Sequence, residues 1–235
     1  MKSTEVVSWI VDSADQRRLI LNHNLHSAYL SLIDDDFAET YALADRTIVD
    51  GFPILLVANR YRARRGEPAL SSDYRCGSND WVAQFGELPS GYRVGLVGAS
   101  PSSNRVAVQR LATRFPQLVL QGWDGFEGLA ELEAGDFRAL GEFDPDLVLI
   151  GLGMPKQESF IAENWDRLPI AAYATVGGAI DQISGEQKLA PRWLGKLRVE
   201  WLWRLVSDPR RLSHRYIVEP LLLLRETRRR RNPGR

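Results

Sequence analysis

Asp50 stands at the end of a short apolar run, Arg46–Val49, and is followed by Gly51 and Pro53. Proline suits the first turn of a helix, so RTIVDGFP reads as strand, turn and helix. In open α/β sheets, ligands sit beyond the carboxyl ends of the strands, which is where Asp50 falls. A carboxylate there can take a proton from an attacking hydroxyl; its structural alternative is to cap the helix or shape the turn. Three other segments share this layout. In LVGASPSSNR, Gly98 ends a buried strand and Ser100 precedes an amphipathic helix. Backbone N–H groups and a positive helix end there suit an anion such as a diphosphate. It is neither a GxGxxG fingerprint nor a GxxxxGK[ST] loop. In DLVLIGLGMPKQESFI, Gly153, Lys156 and Gln157 lie at a strand-to-helix turn, where polar side chains face a ligand or solvent. In TVGGAIDQISGE, Gly177 and Gly178 permit close backbone approach and Asp181 follows. A purely structural tight turn explains that segment equally well.

The elements that must position these residues are short runs rich in Val, Ile and Leu. Candidate strands are Arg18–Asn22, Arg46–Val49, Arg93–Gly98, Gln117–Gln121, Asp146–Gly151 and Ile170–Val176. Most do not alternate between polar and apolar residues, as expected of strands covered on both faces. Helical patterns lie between them, over Ser27–Ala44, Pro53–Arg65, Ser103–Phe115 and Lys156–Leu168. The alternation predicts an α/β protein with a Rossmann-like, mainly parallel sheet covered by helices. The rhythm stops after Pro191. Residues 1–190 therefore read as the core and 191–235 as a helical appendage with a basic tail, broken near Asp208-Pro209 and Glu219-Pro220.

Composition narrows the classes. The chain has 235 residues, 44% of them hydrophobic, which suits one α/β core. Its 30 basic and 30 acidic residues balance, yet six arginines and one glutamate fall within 225–235. One cysteine, Cys76, allows no internal disulfide and points to a reducing cytoplasm. Three histidines and that cysteine argue against a Cys/His zinc site. The N-terminal segment lacks the long apolar core of a signal peptide, and no uncharged run approaches the ~20 residues of a spanning helix.

Taken together, Asp50-Gly51, GLGMPKQESFI, VGGAIDQISGE, KLAPRWL and VEWLWRLVSDPRR resemble the WecG/TagA/CpsF glycosyltransferases, glycosyltransferase family 26, over roughly Leu19 to Leu224. The resemblance implies transfer of a sugar from a UDP-sugar to an undecaprenyl-diphosphate-linked acceptor, with inversion and without a metal or other cofactor. The family's donors include N-acetylmannosamine, its uronic acid and hexoses such as glucose. The resemblance makes Asp50 the general base and places Gln157 in the active site. Asn24 matches a family asparagine, and Asn22 stands where the family has threonine. Arg204 and Arg211, seven residues apart and hence two helical turns, match appendage arginines that bind diphosphate; Arg210 and Arg215 are further candidates. Asp34-Asp35-Asp36, read as mid-helix, and Asp144-Pro145-Asp146, read as a turn, are not metal ligands on this reading.

Without a metal, arginines and helix ends must stabilise the departing UDP. Trp193, Trp201 and Trp203, then Leu221–Leu224 and the arginine run, match an interfacial helix on an anionic leaflet. The alternative is that the tryptophans pack on the core or on a second subunit, so a homo-oligomer stays open. The expected location is the cytoplasmic face of the inner membrane. Nucleic acid is not an expected partner, since no recognition module accompanies the basic tail. Two other classes remain open: a nicotinamide-dependent Rossmann enzyme, weakened by the missing GxGxxG, and a noncatalytic nucleotide-sugar-binding scaffold, which has no need of a base.

Overall fold

The computed structural model describes residues 1–12, 16–188, 200–207 and 209–231. The side chains at 200, 201, 204, 207, 211, 228, 230 and 231 lie outside that description. Six strands form one all-parallel sheet: β1 (Arg18–His23), β2 (Arg46–Val49), β3 (Arg93–Gly98), β4 (Val119–Trp123), β5 (Leu147–Gly151) and β6 (Ala172–Thr175). Their spatial order is β2-β1-β6-β5-β3-β4. The α/β, Rossmann-like expectation therefore holds. Every residue of β5 is buried, which is why LVLIG shows no alternation. The edge strand β4 is mostly exposed and begins two residues later than expected. Gln117 belongs instead to the turn before it, where its carbonyl accepts from Gly91 N (2.8 Å) and its side chain donates to Phe85 O (3.1 Å).

Ten helices precede residue 188 among the described residues. α1 (Ser3–Val11), α5 (Ser78–Val82), α6 (Pro101–Arg114) and α10 (Ala179–Ser184) cover one face of the sheet. α7 (Glu127–Ala134), α8 (Arg138–Phe143) and α9 (Lys156–Asn164) cover the other, where Tyr41 also packs. The predicted helix over Ser27–Ala44 is in fact two, α2 (Leu25–Ile33) and α3 (Asp35–Leu43). Asp34 is the break: its backbone is extended and its carboxylate caps Phe37 N at 3.0 Å. A short acidic side chain at such a point stabilises a helix start better than a helix interior. Asp144 and Asp146 do form a turn into β5, with Asp146 accepting from Arg93 N at 2.7 Å. The remaining helix, α4 (Phe52–Arg64), follows β2. Helices α1, α5, α7, α8 and α10 have nine residues or fewer, too short for periodicity alone to reveal.

The C-terminal segment is helical over Glu200–Ser207, Pro209–Ser213 and Glu219–Arg231. The expected break at Glu219-Pro220 is absent. A π-helical turn, His214–Val218, runs straight into the last helix. Proline lacks an N–H and crowds the carbonyl four residues back, and a wider turn relieves that clash. The last helix packs against α2. Trp193 and residues 189–190, at the proposed boundary, lie outside the described residues.

Candidate active site

The strand ends set the site. The chain leaves β3 into α6 on one face and β5 into α9 on the other, so a crevice opens between their carboxyl ends. Gly98 and Gly151 are register partners there. Gly98 has φ +125°, and a Cβ on it would lie 2.4 Å from the Gly151 carbonyl oxygen. Only glycine fits, so this residue is demanded by packing whatever binds above it. From β2 to β3 the edge spans four strand spacings, roughly 19 Å, with β1, β6 and β5 between them.

At the β2 end, Asp50 directly follows the strand and its N–H donates to His23 O at 2.9 Å. Gly51, with φ +107°, turns the chain into α4. The segment 75–78 folds back against this point, with Cys76 N donating to Val49 O at 2.9 Å. A Cβ on Gly77 would lie 3.4 Å from Asp50 Oδ1, so a larger residue there would press on the carboxylate. Ser78 joins this wall to β1: its hydroxyl accepts from Asn22 Nδ2 at 2.5 Å and donates to Val176 O at 3.3 Å. Asn22 is buried and its Oδ1 has no partner among the described residues.

Asn24 caps α2, accepting from His26 N (3.0 Å) and Ser27 N (3.2 Å). The same oxygen is reached by Arg215 Nη2 of the C-terminal segment at 3.4 Å. A second contact ties the segment down: His26 Nδ1 lies 2.6 Å from Oε2 of the buried Glu219. Burial and Arg215 push the His26 imidazole below its ordinary value, against the pull of Glu219. Nearby, burial also lowers His23, whose Nδ1 meets Ser27 Oγ at 3.0 Å and whose ring packs edge-on against Tyr41.

Between the two ends lies the β5–β6 pair. Gly153 has φ +77° and leads into α9, whose first residue, Lys156, is exposed. Gln157 is wholly buried. Its Nε2 donates to Glu158 Oε1 at 2.8 Å, and its Oε1 accepts from Gly177 N at 3.1 Å. Gly177, at φ +54°, and Gly178 make the turn from β6 into α10. Gln157 therefore shapes the floor of the edge from below.

The β3 end differs. Ser100 caps α6, accepting from Ser103 N (3.1 Å) and donating to Glu186 Oε2 (3.1 Å). A carboxylate thus already faces this helix start, which opposes a second anion. Asp181 accepts from Ser103 Oγ at 2.7 Å and joins α6 to α10. Arg204 and Arg211 fall on two separate helices rather than on successive turns of one, because Pro209 begins a new helix; their side chains lie outside the described residues. No three of His, Cys, Asp and Glu come together as a metal site among the described residues.

The sequence does not mark segment 75–78, Glu158, His26 or Glu219 as site residues: Cys76 bears on redox state, Glu219 reads as a helix break, and Glu158 lies inside PKQE without a role of its own.

A parallel α/β sheet carrying a carboxylate, amides and an arginine at its carboxyl edge has the build of a group-transfer enzyme that works on polar substrates. The family model described as "Glycosyl transferase WecG/TagA/CpsF family" matches residues 1–235, and the chain belongs to that family. It is similar to the N-acetylglucosaminyldiphosphoundecaprenol N-acetyl-beta-D-mannosaminyltransferase of Bacillus subtilis (strain 168), 32% identical over 118 residues, or 50% of this chain and 45% of the relative. The protein with the same description from Staphylococcus aureus (strain MRSA252) is 28% identical over 121 residues, 52% of this chain and 47% of the relative. The match spans about half the length of these relatives.

Proposed function

We propose that this protein is an inverting glycosyltransferase that moves a sugar from a UDP-sugar to a sugar carried on polyprenyl diphosphate, with Asp50 as general base and no metal. The observation that carries this reading is the placement of Asp50: it ends β2 on the reactive edge, with its backbone fixed to His23 and the wall 75–78 against its carboxylate. Family membership and the activity named for the two relatives favour sugar transfer over a nicotinamide enzyme or a scaffold. The acceptor hydroxyl attacks the anomeric carbon, its proton passes to Asp50, and UDP leaves from the opposite side with the bonding pair. A base suited to that step contributes roughly 10²–10⁴ in rate. Arg215, with Arg204 and Arg211 as further candidates, would offset the charge gathering on the departing diphosphate. Asn22, Asn24, Gly153, Gly177 and Gly178 border the edge where the sugars would sit, and Lys156 opens the helix beside it.

The same reading places the protein at the cytoplasmic face of the membrane that holds its acceptor. No helix among the described residues is long and apolar enough to cross a membrane. The C-terminal segment instead exposes Val206, Ile217, Leu221 and Leu224 ahead of the arginine run. The test is UDP release in excess EDTA, from a panel of UDP-N-acetylmannosamine, UDP-N-acetylmannosaminuronic acid and UDP-glucose. The acceptor is a short-chain analogue of N-acetylglucosaminyl-diphosphate-prenol, and the product's anomeric configuration is read by NMR. Acceptor-dependent release with inversion is expected. Release restored only by Mg²⁺ or Mn²⁺, or retention of configuration, would overturn the mechanism.

A further inference from the structure

Glu158 is the most deeply buried carboxylate among the described residues, with no exposed surface. No ion pair reaches it among the described residues, although Arg215 favours its charged form. Oε1 accepts from Gln157 Nε2, and Oε2 is buried without a partner among the described residues. Keeping a carboxylate ionised in so buried a place is costly, which makes its few partners informative. Its hydrogen bond from Gln157 shows a use. A carboxamide can flip, exchanging its oxygen and nitrogen. Glu158 accepts only from the nitrogen end, so Gln157 must turn its oxygen toward Gly177 N. The chain of contacts therefore runs from Glu158 through Gln157 to the β6–α10 turn at the reactive edge.

We propose that Glu158 is a positioning residue: its carboxylate fixes the orientation of the Gln157 carboxamide and, through it, the Gly177-Gly178 turn that forms the floor of the sugar-transfer site. This deepens the transferase reading and rests on it for its kinetic consequence. The charged groups acting around Glu158 are few. Arg215 of the C-terminal segment favours its ionised form, and the carboxylate in turn adds to the upward push that burial gives Tyr41 of α3. Burial is the larger effect and pushes Glu158 up to about 7. The ionised carboxylate holds Gln157 by a charge-assisted bond, the stronger kind. The floor should thus tighten as pH rises through neutrality and loosen below it.

Two variants separate positioning from bulk. Glu158→Gln keeps an acceptor oxygen at similar volume but cannot titrate; Glu158→Leu keeps the bulk and removes the acceptor. With ¹⁵N-labelled full-length protein, the Gly177 amide and the Gln157 carboxamide signals should shift together with a midpoint near pH 7. They should be flat with pH in Glu158→Gln, and the Gly177 amide should lose protection from exchange in Glu158→Leu. In UDP release, wild type should lose turnover on the acid side of that midpoint. Glu158→Gln should lack that limb, and Glu158→Leu should lose about tenfold in kcat, the equivalent of 1.4 kcal/mol. Wild-type signals that do not titrate, or a Glu158→Gln variant that titrates like wild type, would overturn the proposal. So would a folded Glu158→Leu variant with full Gly177 protection. The NMR arm needs no activity: if the signals behave as expected while no UDP-sugar is turned over, the positioning role stands and the transferase reading falls.

Discussion

The two ends of the carboxyl edge of the sheet are built from similar residues used in opposite ways. At the β3 end, Ser100, Ser103, Asn104, Asp181 and Ser184 bond to one another or to backbone. Asn104 alone donates to the carbonyls of Leu96, Gly98 and Trp123 at 3.1, 2.9 and 3.0 Å. Toward β1 and β2, Asn22 keeps a buried oxygen without a protein partner among the described residues, as does Glu158 beside the β5–β6 pair, and the C-terminal segment reaches Asn24 through Arg215. Buried polar groups that satisfy each other hold a scaffold together. Buried groups left incomplete cost about 1–3 kcal/mol each and mark where structure has been traded for chemistry. On the proposed reading the chemistry sits toward Asp50, whereas Ser100 and Asp181, both candidates from sequence, are tied to neighbouring protein groups.

Neutralising one carboxylate at each end should separate the two most strongly. Asp50→Asn should lower turnover by roughly 10²–10⁴ with the fold intact. Asp181→Asn should leave turnover within about threefold, less than about 1 kcal/mol of barrier. Equal losses of activity in the two variants, measured by steady-state UDP release with circular dichroism as a fold control, would erase the distinction.

Stability should follow the reverse order. Asn104→Ala strips a donor from three buried carbonyls and should cost more than about 2 kcal/mol in a urea titration, well beyond Asp50→Asn. A loss below 1 kcal/mol would show that the network at the β3 end is not the scaffold described here.

A smaller effect concerns Glu158, whose raised pKa makes it a liability with a definite sign. Below its ordinary 4.5 both folded and unfolded chains carry the proton, so nothing is lost. As pH rises from there to about 7, the unfolded chain ionises first and the folded state is destabilised; above that the penalty is constant. Glu158→Gln should therefore be the more stable protein at pH 8, by on the order of 3 kcal/mol, and should lose that advantage near pH 4. Parallel thermal melts at the two pH values test this.

The mildest test concerns the C-terminal segment, which contacts Asn24, His26 and α2. Removing residues 225–235 should weaken binding to anionic vesicles by about 1 kcal/mol per arginine while leaving turnover of a soluble acceptor analogue near wild type. High salt should reproduce the loss, since screening acts within about 8 Å at physiological ionic strength. Vesicle binding unchanged by the deletion would remove the tail from the membrane argument.

Much of this was legible in the residues. Buried parallel strands advertise themselves as unbroken apolar runs, so all six were found, with β4 displaced by two residues because the turn residue Gln117 lies inside an apolar stretch. Asp50 was legible for the same reason: a carboxylate directly after such a run must emerge at the carboxyl edge. The breaks at Asp34 and the π-turn before Pro220 were misread, because a pattern shows where a helix is favoured and not how the chain absorbs a local clash. What the tertiary structure alone decided is partnership. Arg215 meets Asn24 across 191 positions, Asn22 meets Ser78 across 56, and Ser103 meets Asp181 across 78. Side-chain type and local spacing determine which groups arrive at the edge. Whether an oxygen there is spent on a neighbour or left for a substrate depends on elements brought together by sheet order and helix packing, and no local pattern encodes that.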